Sequence, residues 1–324
     1  GNIDSIKVFS EHDHKRIGVK TIQRLEEEEY DLLILNGNFA HYYHSEEGET
    51  GNQYFQAMQR LMTKTPVIIM PGKRENFDRF NMFNNRFVMP GAKSAADNAV
   101  FRFALGKNVF IAINLEAVLQ EEVFGSVVFQ NLIEKFEEFL KEAEASNPSS
   151  ILVITNVALY CSSGKVGGCH SNLLYLKPFE DLMDKYKVNL VLTSGVKFYE
   201  TVKPVYSLKP KRYSSFLYIN TGAGGATNFI SNTPLRVESF STKLIRNTPG
   251  YVTIYFNNNF IQTVFVMVKD KKILDLRFIA LSSDTLYEAL KTFGIFIILA
   301  TLFLYQAIRS EYVVLLFIKK SSKT

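Results

Sequence analysis

Histidines, carboxylates and cations gather at a few short segments of this chain. Four of the five histidines lie early: His12 and His14, then His41 and His44. Glu11 precedes the first pair and Asp13 lies between its two members. Imidazole and carboxylate groups so grouped can ligate a metal; exposed loop histidines account for the same pattern, and both readings stand. A second group is cationic. Lys73 and Arg74 are adjacent, and Lys197 follows the turn residues Ser194-Gly195. Such side chains hold an anion through charge-assisted hydrogen bonds, or they join a structural ion-pair cluster. The third chemistry belongs to Cys161 and Cys169, separated by Ser-Ser-Gly-Lys-Val-Gly-Gly. That linker closes easily and is a poor place to bury a thiol. It predicts a Cys161–Cys169 disulfide and an oxidising compartment, against the alternative of two free, buried thiols.

The elements that must position these groups follow from periodicity. The continuous apolar run 31–36 predicts a strand buried on both faces, as does 109–114, and 6–9, 67–70, 151–155 and 190–193 predict further strands. Between them, 19–29, 53–62, 129–145 and 178–186 predict helices. The helix over 129–145 carries Phe129, Leu132, Ile133, Phe136 and Leu140 on one face and glutamates and lysines on the other. After Phe216 the pattern turns to strands, over 216–221, 251–256, 260–268 and 273–280, with Asn257-Asn258-Asn259 as a hairpin turn. Strands alternating with helices give an α/β layered fold. The reactive residues then fall at the C-terminal ends of strands, where open α/β sheets build their sites.

Five of these loops, taken in order, carry a resemblance. They are Phe9-Ser10-Glu11-His12, Gly37-Asn38-Phe39-Ala40-His41, Gly72-Lys73-Arg74-Glu75, Thr155-Asn156-Val157-Ala158, and Ser194-Gly195-Val196-Lys197-Phe198-Tyr199-Glu200. Together they resemble the purple acid phosphatase branch of the metallophosphoesterases, within the calcineurin-like phosphoesterase superfamily. Tyr160-Cys161-Ser162, Pro204-Val205-Tyr206 and Thr221-Gly222-Ala223-Gly224-Gly225 also look like that family's surroundings. The resemblance covers about 6–280 and implies a β-sandwich flanked by helices. It also implies where a two-metal centre would take its ligands. Glu11 stands at a ligand Asp, Asn38 at the bridging Asp, and His41 at the iron-binding Tyr. Lys73 stands at a ligand Asn, Arg74 at a substrate-facing His, and Asn156 at a ligand His. Gly195 and Lys197 stand at the last two histidines. A protonated amine or guanidinium has no lone pair to offer a metal, so the resemblance implies a framework without its metal pair and no cofactor.

The remaining features bound the setting. The chain has 324 residues, 47% hydrophobic and 21% charged, with a net charge of +5. Its lysines are dispersed, which argues against nucleic acid as a partner. The run 292–308 (TFGIFIILATLFLYQAI) has no charged residue, and a second apolar run, 312–318, follows Arg309-Ser310-Glu311. One helix using both runs, over 284–318, is long enough to cross a bilayer. Lys319, Lys320 and Lys323 in the tail 319–324 place that end on the cytosolic or matrix side. The large domain, 1–283, then lies on the lumenal or extracellular side, or in the mitochondrial intermembrane space. The expected protein is a single-pass, catalytically inactive, phosphatase-like domain. It contacts lipid through its C-terminal helix and serves as an accessory subunit among other membrane-complex subunits. Two alternatives are a metal-dependent phosphatase with a remodelled metal site and a non-catalytic anion-binding protein using Lys73, Arg74 and Lys197.

Overall fold

The computed structural model describes residues 5–10, 17–40, 44–92, 98–119, 126–162, 169, 173–210, 216–225 and 236–281. In chain order the elements are β1 (Ser5–Phe9), α1 (Ile17–Glu26), β2 (Leu32–Asn36), α2 (Glu49–Lys64), β3 (Val67–Met70), α3 (Asn81–Asn84), β4 (Val100–Leu105), β5 (Asn108–Ile113), α4 (Val127–Ala145) and β6 (Ser150–Thr155). Then come α5 (Leu173–Lys185), β7 (Leu190–Thr193), β8 (Tyr199–Val202), β9 (Val205–Tyr206), β10 (Lys209–Pro210), β11 (Leu217–Thr221), β12 (Ser241–Ile245), β13 (Gly250–Phe256), β14 (Phe260–Met267) and β15 (Ile273–Ala280).

Two large sheets form. One has the order β15-β14-β13-β1-β2-β3, the other β12-β8-β11-β7-β6-β5-β4. β1, β2 and β3 run parallel, as do β5, β6, β7 and β11. Strand alternation sends one set of side chains to each face. Val109, Ile111, Ile113, Val153 and Val191 meet Phe129, Phe136, Leu140 of α4 and Leu176, Phe179, Met183 of α5 in one core. Phe110 points the other way and meets Phe256 of the first sheet, ring centroids 5.8 Å apart. Tyr199 of β8 likewise stacks on Phe265 of β14 at 4.2 Å. The sheets therefore face one another, with helices outside them.

Several boundaries differ from the sequence expectation. The first helix ends at Glu26, not at residue 29, because glutamates at a helix C-terminus oppose the helix dipole. The helix expected to start at Pro178 starts at Leu173 with Pro178 inside it; burial of Leu176 and Phe179 outweighs one lost backbone bond near the N-terminus. The fifth loop is shorter than its motif, since Tyr199 and Glu200 belong to β8. The short strands β4, β8 and β12 had no distinct apolar run to announce them. The Cys161–Cys169 disulfide is formed, with Cα atoms 5.5 Å apart. Cys161 is nonetheless buried, against the expectation that this stretch buries no sulfur. The strand leading into it, β6, carries it inward.

The chain divides into a unit over Gly1–Ile279 and a second over Ala280–Thr324. The predicted spanning helix over 284–318 and the tail 319–324 lie outside the described residues. Among the described residues, no helix is long and apolar enough to cross a membrane.

Candidate functional site at the strand ends

The parallel strands bring their C-terminal loops to one end of the sandwich, and those loops are tied together by buried side-chain amides. The loop after β2 turns through left-handed backbone at Gly37 (φ 76°), Asn38 (φ 48°) and Ala40 (φ 49°); asparagine tolerates that region better than most residues. Phe39 anchors this loop, packing on Tyr54 at 5.4 Å and Phe83 at 6.5 Å. The loop after β3 comes so close that a Cβ on Gly72 would stand 2.3 Å from the Asn38 nitrogen. Only glycine permits that approach.

Glu75 clamps the two loops. Its Oε2 accepts the Asn38 N–H at 2.9 Å and the Gly72 N–H at 2.7 Å. Asn38 Oδ1 accepts the Arg74 N–H at 2.9 Å. Glu75 is fully buried and Asn38 nearly so, so these bonds are shielded from competing water.

Asn156, fully buried at the end of β6, ties two more loops. Its Nδ2 donates to the Pro71 carbonyl at 2.6 Å and to Asn114 Oδ1 at 2.5 Å. Its Oδ1 accepts the Glu116 N–H at 3.2 Å. Asn36 Nδ2 donates to the Thr155 carbonyl at 3.0 Å, joining the two sheets at the same end. Ser10 and Thr221 hydroxyls meet at 3.1 Å, and Thr221 donates onward to the Thr193 carbonyl at 3.0 Å. The loop after β7 nests on the Asn156 loop: a Cβ on Gly195 (φ 86°) would lie 3.2 Å from the Asn156 carbonyl oxygen.

The charged residues sit on the rim. Lys73 is exposed, while Arg74 and Lys197 are half-buried. Burial pushes the Glu116 carboxyl up to about 7, and Lys73 pulls it partly back. Lys73 and Glu116 therefore sense each other across the mouth of the site. Glu200, the last residue of the fifth motif, points into the protein. It accepts from the Ser162 N–H at 2.9 Å, the Ser162 hydroxyl at 2.5 Å and Asn220 Nδ2 at 3.3 Å. Its neighbour Tyr199 donates to Asp275 Oδ2 at 2.9 Å.

Of the positions singled out in the sequence, Asn38, Lys73, Arg74, Asn156, Gly195 and Lys197 all come to this end. Glu11 and His41 lie outside the described residues, as do His12, Asp13 and His14. His44 stacks on Phe77 at 4.2 Å. Among the described residues, no group of three His, Cys, Asp or Glu side chains is placed to hold a metal. Asn114 and Glu116 were missed by the motif reading. A signal for Asn114 was present, because the apolar runs of β2, β5 and β6 each finish in an asparagine: Asn36, Asn114 and Asn156.

No family profile matches the chain. Over 209 residues, 59% of this chain and 46% of the relative, it is 23% identical to acid phosphatase type 7 of Danio rerio. The purple acid phosphatase PPD1 from yellow lupin seeds superposes with a TM-score of 0.73 at 13% identity, over 86% of this chain and 54% of that one. GAP50, the anchor in the inner membrane complex of Plasmodium, superposes with a TM-score of 0.68 at 14% identity, over 87% of this chain and 90% of that one. The chain spans about half the length of the zebrafish relative and of the lupin protein. Sheet order, strand-end loops and these likenesses agree: the chain has a purple acid phosphatase-like metallophosphoesterase fold.

Proposed function

We propose that this protein is a non-catalytic, phosphatase-like domain held at a membrane, where it works as an anchor or accessory subunit of a membrane complex. The observation that carries this reading is the use made of the amides at the strand ends. A two-metal site holds its loops together through shared ions. Here Asn38 and Asn156 stand at the positions the resemblance assigns to ligands, and their oxygens already accept backbone N–H groups of Arg74 and Glu116. The described donor set does not suit a metal pair: it offers engaged amides, and Lys73 and Arg74 have no lone pair to give. Glu11 and His41 belong to the vestigial positions in this reading, beside Lys73, Arg74, Gly195 and Lys197. The domain boundaries follow the sequence, with 1–283 as the globular part, 284–318 as the span and 319–324 as a basic tail. The similarity to GAP50 over 90% of that chain supports the anchoring role.

Elemental analysis of the purified full chain tests it. The expected result is less than one iron, zinc or manganese per chain and no phosphatase turnover. Two metals per chain with turnover would establish the enzyme alternative, which the similarity to acid phosphatase type 7 favours. The pairing of Lys73 and Arg74 on one turn, with Lys197 on the loop after β7, favours a second reading, an anion site without hydrolysis. A phosphate-dependent rise in melting temperature in metal-free buffer would mark that one.

A further inference from the structure

The outward face of β13–β15 exposes large apolar side chains that nothing in the described chain covers, beside a groove whose lining also holds Lys7, Glu28, Thr253 and Gln262. Leu276 (44% exposed) and Phe278 (60%) project from β15 on the side opposite Asp275 and Arg277, which bond Tyr199 and Thr201 of the other sheet. Tyr255 (42%) and Ile273 (58%) line an adjoining groove of about 380 Å³. β15 is an edge strand, and an apolar edge face left in water is an aggregation hazard that proteins normally blunt.

Charge and chain length both point to what covers it. The hairpin before β15 exposes Lys269, Lys271 and Lys272, with Asp270 its one acid. Nearby carboxylates are engaged: Glu28 with Lys7 and Tyr251 and, at 4.0 Å, with Lys271 itself, and Glu27 with Arg24 at 2.6 Å; Lys269 and Lys272 are the more open cations of the hairpin. β15 ends at Ala280, and the charge-free run begins at Thr292. The expected span begins at 284, so at most about 14 Å of extended chain separates it from β15. We propose that the outward face of β13–β15, with Lys269, Lys271 and Lys272, lies on the surface of the bilayer that the chain's own span would cross. Apolar side chains enter the headgroup boundary while lysines meet lipid phosphates. This rests on reading 284–318 as the membrane span.

Depth-sensitive fluorescence of the full chain in phosphatidylserine-containing nanodiscs tests it. A single fluorophore is placed at Leu276→Cys or, as reference, at the exposed Glu134→Cys on α4; the native cysteines are already joined. Brominated acyl chains report contact with lipid. The expected result is quenching at 276 at least about twofold that at 134, as for a side chain at the acyl boundary. Combining Lys269→Glu, Lys271→Glu and Lys272→Glu should bring it down to the reference level, with the chain still in the disc. Equal quenching at 276 and 134 in the parent overturns the proposal, whether the face is bare or covered by a second copy, and retention in the disc then leaves the span reading standing. Quenching at 276 in the parent, with the lysine variant released from lipid altogether, upholds the face and removes the span.

Discussion

At the C-terminal ends of the parallel strands, Asn36, Asn114, Asn156 and Glu75 are polar and buried; on the outward face of β13–β15, Tyr255, Ile273, Leu276 and Phe278 are apolar and exposed. Both regions depart from the usual partition of side chains, and such departures are the informative ones. Their energetics run in opposite directions. The strand-end residues pay for burial by making bonds within the chain, so the folded state depends on each of them. The exposed face makes few contacts within the chain, so folding gains little from it. One region spends its polar groups on bonds within the chain, and the other leaves apolar surface outside them.

The comparison breaks first if the strand-end network is dispensable. Glu75→Ala removes the acceptor for the Asn38 and Gly72 N–H groups. Two buried donors left unsatisfied should cost about 3–5 kcal/mol, read as the shift in a chemical denaturation curve. Glu75→Gln keeps an oxygen in place and should cost less than half as much. An alanine variant within about 1 kcal/mol of the parent would show that water replaces the carboxylate without loss, and that the loops are not held as described.

Asn156→Ala is the next largest test. It strips the Pro71 carbonyl and Asn114 Oδ1 of a shared donor and the Glu116 N–H of its acceptor. A loss of about 2–4 kcal/mol is expected. Asn156→Asp keeps the size but sets a carboxylate against two oxygens, so it should be no better than alanine. Rescue by aspartate in the presence of zinc or manganese would show a metal site close beneath the amide network.

How much of this the sequence could carry depends on the kind of residue. The central strands were legible because burial on both faces leaves an unbroken apolar run, as in Leu32–Asn36 and Ser150–Thr155. Some flanking strands were not: β4 interrupts its run with Arg102, which reaches out to Glu142 at 2.5 Å, and β8, beside the edge strand β12, is four residues hidden in a motif. Helix ends moved where tertiary burial or the helix dipole overrode local preference, at Leu173 and Glu26. Asn38 and Asn156 could be placed at the strand ends from their loops alone. Their bonding could not, since it joins residues 36 and 85 positions apart. Asn114 and Glu116 escaped because no motif names the loop after β5.

Glu116 offers a smaller, pH-dependent effect. Its folded-state carboxyl is raised from 4.5 to about 7 by burial, with Lys73 opposing. A raised acid works against folding as pH climbs: below 4.5 both states are protonated, and between 4.5 and about 7 only the unfolded state releases its proton. The destabilisation grows through that window to about 3 kcal/mol above it. Glu116→Gln should therefore stabilise the protein at pH 8 and be nearly neutral at pH 4, in denaturation curves taken at both. Lys73→Met should enlarge the pH dependence of the parent, because the cation that favours the charged carboxylate is gone. A Glu116→Gln effect equal at both pH values would mean the carboxyl is hydrated.

The smallest effect is expected on the exposed face. Leu276→Ser and Phe278→Ser each remove apolar surface of which 44% and 60% stays in water after folding, so much of the transfer term cancels. Phe278 keeps one ring contact, with Phe260 at 5.4 Å, and its loss should bring the double variant to within about 1 kcal/mol of the parent. The same double change should raise solubility of the detergent-free protein, because an edge strand without its apolar side chains is a poorer template for association. A loss of several kcal/mol would mean that the chain itself buries this face, and the contrast with the strand ends would collapse into one continuous core. Near-neutral stability together with weaker lipid quenching at a label on the same face would separate the two regions cleanly, one serving the fold and the other serving what the fold is attached to.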